Sequence, residues 1–330
     1  MPTFAFLVLP GFNRVYGRSA SDLAQAELDV FGRTVLATDV GDIALRTIGG
    51  VPYVTFTAGG LGDRDVALLS NLSSIYALFE LAGDMLRPVA LSPLDRYDDD
   101  LLTIQRYTGK TNEQFTKLLV NVTLAHSRRA ADLLEHRARI LDPLCGRGTT
   151  LNQALMYGFD AAGVERDGRA VDAYETFIKG WLRDKRIEHK ADRGRIRRDG
   201  RVAGRRFDIT IGPDTQRLTV VDDDTVNVAD HFAKASFDAI VADLPYAVQH
   251  GRSRDTSMLL ADGLPAWMDV LASQGAIGLS WNTHVVGRDD LVGVMDAAGL
   301  DVVDTPPMQR FAHRVDQAIH RDLVVATKRR

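Results

Sequence analysis

Residues 138–167, ARILDPLCGRGTTLNQALMYGFDAAGVERD, constrain the fold of this chain more than any other stretch. An apolar run, Ile140-Leu141, ends at Asp142 and Pro143 and turns through Cys145-Gly146-Arg147-Gly148. Thr149 and Thr150 then lead into Leu151-Asn152-Gln153-Ala154-Leu155, a helix that Gly158 stops. Ala161-Ala162-Gly163-Val164 is a second strand, and it ends on Glu165. Strand, glycine turn, helix, strand and acid make the opening unit of an α/β nucleotide-type site. Glycines allow close backbone approach, and the helix start presents unpaired N–H groups. Glu165 stands where an acid can take both hydroxyls of a ribose.

The kind of ligand follows from the details. A dinucleotide fingerprint requires a third glycine where this chain has Leu151, and its first strand does not end in an acid such as Asp142. A carboxylate there is unfavourable beside a pyrophosphate but suits an ammonium. S-adenosyl-L-methionine offers an ammonium, a ribose and an adenine, with no phosphate. The candidate cofactor residues are therefore Asp142, Pro143, Cys145, Gly146, Gly148, Thr149 and Glu165. An ordinary strand-turn-helix with a glycine bend would leave a similar trace, so a second signal is needed.

That signal is FDAIVADLPYAVQHG, residues 237–251, a strand over Ala239 to Ala242 that ends in Asp243-Leu244-Pro245-Tyr246. The tetrad resembles the (Asp/Asn)-Pro-Pro-(Tyr/Phe) motif of amino-methyltransferases, which methylate exocyclic amines of bases. Delocalisation into the ring makes such an amine a poor nucleophile. Accepting its two protons at the Asp243 carboxylate and the Leu244 carbonyl would draw the nitrogen toward the tetrahedral geometry of attack. Pro245 stiffens the turn and holds Leu244 extended. Tyr246 would stack on the base. Leu244 replaces the usual first proline, a departure that leaves the required carbonyl in place.

The 330 residues suffice for two domains, and the formal charge of −4 does not advertise a polyanionic partner. One cysteine excludes an intramolecular disulfide and suits a reducing compartment. No apolar run approaches membrane-spanning length and no secretory signal opens the chain, so the expected location is the cytoplasm, with no membrane partner. Residues 1–105 read as a small α/β domain. Thr3 to Leu9 is a strand broken by Pro10-Gly11, and Ser21 caps a helix through Phe31. Strands follow at Val35 to Ala37, Ile43 to Thr47 and Pro52 to Thr57, then a longer helix from Arg64 to Ala82. Through Ala24-Gln25-Ala26-Glu27-Leu28 and residues 69–76, LSNLSSIY, this part resembles the N-terminal domain of THUMP-containing tRNA guanine-N2 methyltransferases of the archaeal-eukaryotic type. No THUMP module is expected ahead of the catalytic domain, a departure from the family in the part that grips the tRNA acceptor end.

The acidic connector Asp95 to Asp100 marks the boundary, and residues 106–330 form the second domain. A long helix is expected over Arg106 to Arg129, with Thr111 and Gln114 as a capping box. The resemblance places Thr111 and Asn112 near the methionine end of a cofactor. Residues 183–217 are a basic insertion, in which Arg183 to Arg206 carry eleven basic residues against four acids. Such an excess could track a phosphate backbone or be a solvated, partly disordered segment. Phe207 to Gly212 and Arg217 to Val221 read as strands, the second ending in Asp222-Asp223-Asp224. The resemblance assigns adenine recognition to Asp224, with Asp223 next. Arg252 and Arg254 could reach substrate. A final antiparallel pair, Gln309 to Val315 and Asp322 to Thr327, would complete seven strands.

His284, His313 and His320 lack metal-ligand spacing, so no metal is expected. Fewer than ninety residues follow the DLPY tetrad, too few for a DNA target-recognition domain, which favours RNA. The expectation is a Rossmann-like, seven-stranded class I methyltransferase sheet with a small N-terminal α/β domain, using S-adenosyl-L-methionine on guanine N2 of tRNA. A DNA adenine or cytosine amino-methyltransferase, or a cofactor-binding RNA-associated protein without catalysis, are the alternatives. The resemblance also raises a small activator protein as a partner.

Overall fold

A computed structural model describes residues 1–9, 14–83, 85–198, 201–246 and 253–329. The Pro10-Gly11 break, residues 247–251, Arg252 and the side chain of Arg254 lie outside the described residues.

The N-terminal part is a five-stranded antiparallel sheet ordered β2-β3-β1-β4-β5. Its strands are β1 (Thr3–Val8), β2 (Val40–Ile48), β3 (Val51–Ala58), β4 (Ile75–Ala82) and β5 (Met85–Val89). Helix α1 (Arg14–Thr34) and the short α2 (Asp63–Leu69) accompany it. Three elements differ from those expected of the sequence. Helix α1 starts at Arg14, so Ser21 lies inside it and is no cap. Residues 35–37 leave that helix as a turn, with Val35 and Leu36 N–H both on the Phe31 carbonyl, and form no strand. The long helix over 64–82 stops after Leu69. There the Ser70 hydroxyl and the Asn71 amide bond back to the Val66 and Ala67 carbonyls, competing with helix propagation. Ile75, Tyr76 and Phe79 then continue as β4, whose β-branched and aromatic residues suit a strand paired on both sides.

The second sheet runs β13-β15-β12-β11-β6-β7-β10-β9-β8, with β14 paired to β15. Its strands are β6 (Arg139–Asp142), β7 (Asp160–Glu165), β8 (His189–Arg198), β9 (Arg201–Ile211), β10 (Gln216–Asp222), β11 (Phe237–Asp243), β12 (Leu271–Asn282), β13 (Leu300–Val302), β14 (His313–Arg314) and β15 (His320–Lys328). Strands β10, β7, β6, β11 and β12 are parallel, and β15 is antiparallel to both β12 and β13. The seven-strand path from β10 to β13, with its antiparallel strand second from the edge, is the Rossmann-like class I methyltransferase sheet. The edge strand is β13, which the sequence reading missed. It is three residues long, and Gln309 to Val315 contributes only the two residues of β14.

The basic insertion extends this sheet as the hairpin β8–β9. Its roots are neutralised: Arg193 pairs with Asp172 and Glu175, Arg205 with Asp172 and Asp222, and Arg206 with Asp208. On the sheet, α3 (Asp100–Thr103), α4 (Glu113–Ala125), α5 (Thr149–Met156) and α6 (Gly168–Asp184) share one hydrophobic cluster with the N-terminal part. Helices α7 (Val228–His231), α8 (Ser253–Val270) and α9 (Arg288–Ala297) build the other cluster. Among the described residues no helix is long and apolar enough to cross a membrane.

Two features fix α4. It is shorter than expected because Asn112, not Thr111, is its cap, accepting from the Phe115 N–H at 3.0 Å. It also lies against β12 so closely that a Cβ at Gly278 would overlap the Thr123 side chain. A buried polar network ties α4 and α5 to the N-terminal part. Glu27 accepts from the Ser73 N–H and hydroxyl and from Asn121, while Asn121 and Tyr157 both donate to the Asn71 carbonyl.

Candidate active site

The chain leaves β6 for β7 on one side and later returns to β11 on the other. The crevice above the carboxyl ends of β6 and β11 is therefore the topological switch point, where open α/β sheets bind ligands. Asp142 ends β6 and Asp243 ends β11. A cavity of 420 Å³ lies there, walled by Tyr107, Thr111, Asp142, Gly146, Glu165 and Asp243 among others. A second, of 680 Å³, shares Leu144, Glu165, Asp243 and Pro245 with it and continues past Pro143 to Asp224 and Thr225.

The glycine turn is built for close approach. Gly146 and Gly148 both have positive φ, 51° and 81°. A Cβ on Gly148 would overlap the Tyr174 ring, whose hydroxyl is tied to Asn152 at 2.9 Å. A Cβ on Gly146 meets nothing within 4 Å, so that backbone faces open space. The Gly146 N–H donates to Glu165 at 3.0 Å, and the Asp167 N–H donates to its other oxygen at 2.8 Å. Thr149 opens α5 and shares a 2.9 Å hydrogen bond with Tyr107, on whose ring Arg147 stacks. Cys145 is buried with its sulfur packed on Gly163, and burial pushes its thiol up.

Asp142 is buried, with the Leu144 N–H donating to it at 3.0 Å. Burial, with the charges of Glu165 and Asp243, pushes its carboxyl from 3.8 up to about 7. Among the described residues it forms no ion pair. The donor set (buried Asp142, half-buried Glu165, an open glycine turn) fits a ligand with an ammonium and vicinal hydroxyls and does not fit a pyrophosphate.

Asp224 lines the second cavity while its carboxylate caps the turn at the Val226 N–H, 3.2 Å. Asp223 points elsewhere: His231 lies 2.6 Å from it, and Asn227 and the Asp224 N–H donate to its other oxygen.

Asp243 is the most heavily bonded carboxylate of the site. Tyr246 donates to both of its oxygens, at 2.6 and 2.7 Å. Ser280 donates to one and Thr111 to the other. Arg321, 4 % exposed, stands 3.6 Å from the same carboxylate and donates to the Tyr246 hydroxyl. Its guanidinium lies between the Phe115 and Tyr246 rings. Burial and the Asp243 charge push the Tyr246 phenol up, so it remains a donor. The Leu244 side chain is buried and its N–H donates to the Ser280 carbonyl at 2.8 Å, fixing the turn that the exposed Pro245 continues.

The structure thus brings the glycine turn, Asp142, Glu165, Thr111 and the DLPY tetrad around one crevice. Sequence reasoning missed Tyr107, Ser280 and Arg321. Only Arg321 left a trace, a charged residue opening the apolar run of β15.

No protein-family profile matches the chain, and no curated protein matches it. Solved structures do align with it. TrmN from Thermus thermophilus aligns over 100 % of both chains at 12 % identity, TM-score 0.47. A TehB-like SAM-dependent methyltransferase from Corynebacterium glutamicum covers 58 % of this chain and 80 % of its own at 16 % identity, TM-score 0.36. The 1,6-didemethyltoxoflavin-N1-methyltransferase of Burkholderia thailandensis, solved with its substrate and S-adenosylhomocysteine, covers 66 % and 80 % at 15 % identity, TM-score 0.38. These likenesses are too distant to carry function, and the fold stands on its strand order.

Proposed function

We propose that the protein is an S-adenosyl-L-methionine-dependent methyltransferase acting on an exocyclic base amine, with guanine N2 of tRNA as the substrate. The observation that carries this reading is the pair of carboxylates, Asp142 and Asp243, ending neighbouring parallel strands at the switch point, one on a glycine turn and the other on DLPY. When bound, the cofactor supplies a methyl group on a positively charged sulfur. Asp142 balances its ammonium and Glu165 takes the ribose hydroxyls. Pro143, Gly146, Gly148 and Thr149 shape the turn around it, Cys145 packs behind, and Asp224 lies at the adenine end. Asp223 supports that end through the turn it builds with Asn227 and His231.

Asp243 accepts one amine proton and the Leu244 carbonyl the other, which localises the nitrogen lone pair for attack. Ser280 and Thr111 hold the carboxylate in orientation, and Arg321 offsets its charge in a crevice that also contains Asp142 and Glu165. Positioning then supplies most of the rate. RNA is the proposed partner, read by the N-terminal part with the β8–β9 hairpin available to phosphates, and the cytoplasm is the proposed location.

The test is incubation of the purified protein with methyl-labelled cofactor and either bulk tRNA or genomic DNA, followed by nucleoside mass spectrometry. Label in N2-methylguanosine supports the full reading. Label in a DNA base amine keeps the chemistry and overturns the substrate. No label in either, with cofactor bound, overturns the reading as an RNA or DNA base methyltransferase.

A further inference from the structure

The hydrogen bonds of Asp243 carry an inference about how many methyl groups one amine receives. It rests on the reading of the site as a base-amine methyltransferase. An ionised carboxylate offers about four acceptor positions. Here Ser280 takes one on Oδ1, Thr111 one on Oδ2, and Tyr246 donates to both oxygens. Three hydroxyl protons engage both oxygens before any substrate arrives, the single Tyr246 proton being shared between the two. Ser280 lies on β12 and Thr111 directly precedes the cap of α4, so both belong to the rigid frame. Tyr246 is three residues from Asp243 on the turn, outside both α4 and β12, so of the three donors it is the candidate for displacement. Arg321 limits how far it goes, because it donates to the Tyr246 hydroxyl and stacks on its ring.

We propose that the Tyr246 hydroxyl is an internal competitor of the substrate amine and restricts this enzyme to one methyl group per nitrogen. A primary amine brings two N–H donors, one for Asp243 and one for the Leu244 carbonyl, and together they displace the phenol. Each transfer forms one N–C bond from the nitrogen lone pair, returns the C–S electron pair to sulfur, and releases one N–H proton through Asp243 to solvent. The once-methylated amine keeps a single N–H. It can satisfy Asp243 or Leu244 but not both, and Tyr246 recaptures the carboxylate. Losing one hydrogen bond to a charged group disfavours the second transfer by roughly ten- to a hundredfold. Arg321 is a positioning residue in this scheme, since it keeps the displaced phenol within reach.

The experiment uses the full chain. Bulk tRNA is methylated to plateau by the wild type and re-isolated. It is then incubated with fresh cofactor and either wild type or Tyr246→Phe, and N2-methyl- and N2,N2-dimethylguanosine are quantified. Expected are monomethyl product only from the wild type, dimethyl product from Tyr246→Phe, and a KM for fresh tRNA lowered several-fold in that variant with kcat less affected. Arg321→Met, which frees the phenol, should also yield dimethyl product, at lower kcat. Dimethyl product from the wild type at a rate near the first transfer overturns the inference and leaves the proposed activity standing. So does a Tyr246→Phe variant that gives monomethyl product alone with unchanged KM. Failure of the wild type to methylate any base amine overturns the activity, and the inference with it.

Discussion

Asp142 makes the stability of the ligand-free protein fall with rising pH. Its carboxyl is buried at the end of β6 and raised from 3.8 to about 7, first by burial and then by Glu165 and Asp243. The folded state therefore holds a proton that the unfolded chain releases near pH 4. Stability from this group is complete below about pH 4 and is lost as pH rises through 7. The difference corresponds to roughly 4 kcal/mol at full ionisation, a ceiling that relaxation of the crevice reduces. Asp142→Asn keeps an oxygen for the Leu144 N–H and removes the titration. Urea unfolding at pH 5, 6, 7 and 8.5 should show the wild type losing up to about 2.7 kcal/mol relative to the variant across that range, the remainder of the ceiling having been lost already below pH 5. Saturating S-adenosylhomocysteine, whose ammonium faces Asp142 in the proposed complex, should restore more stability to the wild type at pH 8.5 than at pH 5, and little to the variant. Parallel pH profiles for the two proteins would refute the assignment of a buried, proton-holding Asp142.

Asp243→Ala should abolish methyl transfer while S-adenosylhomocysteine affinity, read by calorimetry, changes little; equal loss of both would remove Asp243 from the role of amine acceptor. Gly148→Ala places a methyl group in the Tyr174 ring on a backbone with φ of 81°, and should destabilise by about 2 kcal/mol or more in thermal unfolding. Glu27→Ala strands the Ser73 N–H and the Asn121 amide in a buried network. A loss of about 3 kcal/mol is expected, whereas a value near zero would mean that water replaces the carboxylate.

The crevice was legible because its signals are local. An acid after an apolar run, two glycines and a DLPY turn each act within a few residues, and parallel pairing of β6 with β11 brings them together. What was illegible depends on distant partners. Residues 75–82 have an apolar content compatible with a helix, and only pairing with β1 and β5 makes them a strand. The three residues of β13 carry too little pattern to be seen. Thr111 looked like a helix cap because Gln114 follows at capping-box spacing, yet Asn112 performs that task and leaves Thr111 to bond Asp243 at the end of β11. Ser280 is a small polar residue in the apolar run of β12, and which face it presents could not be read without the register against Asp243.

The contact between Gly278 and Thr123 has a mechanical consequence. It presses one end of α4 onto β12 with no methyl group's width to spare, while the helix starts ~15 Å away along its axis and Thr111, just before its cap, hydrogen-bonds to Asp243. The helix acts as an alignment bar, clamped at its far end and gauging the carboxylate at its near end. A side chain at Gly278 would lift the clamped end and tilt the bar. In the proposed reaction, the placement of Asp243 is thus set partly by a packing contact remote from it.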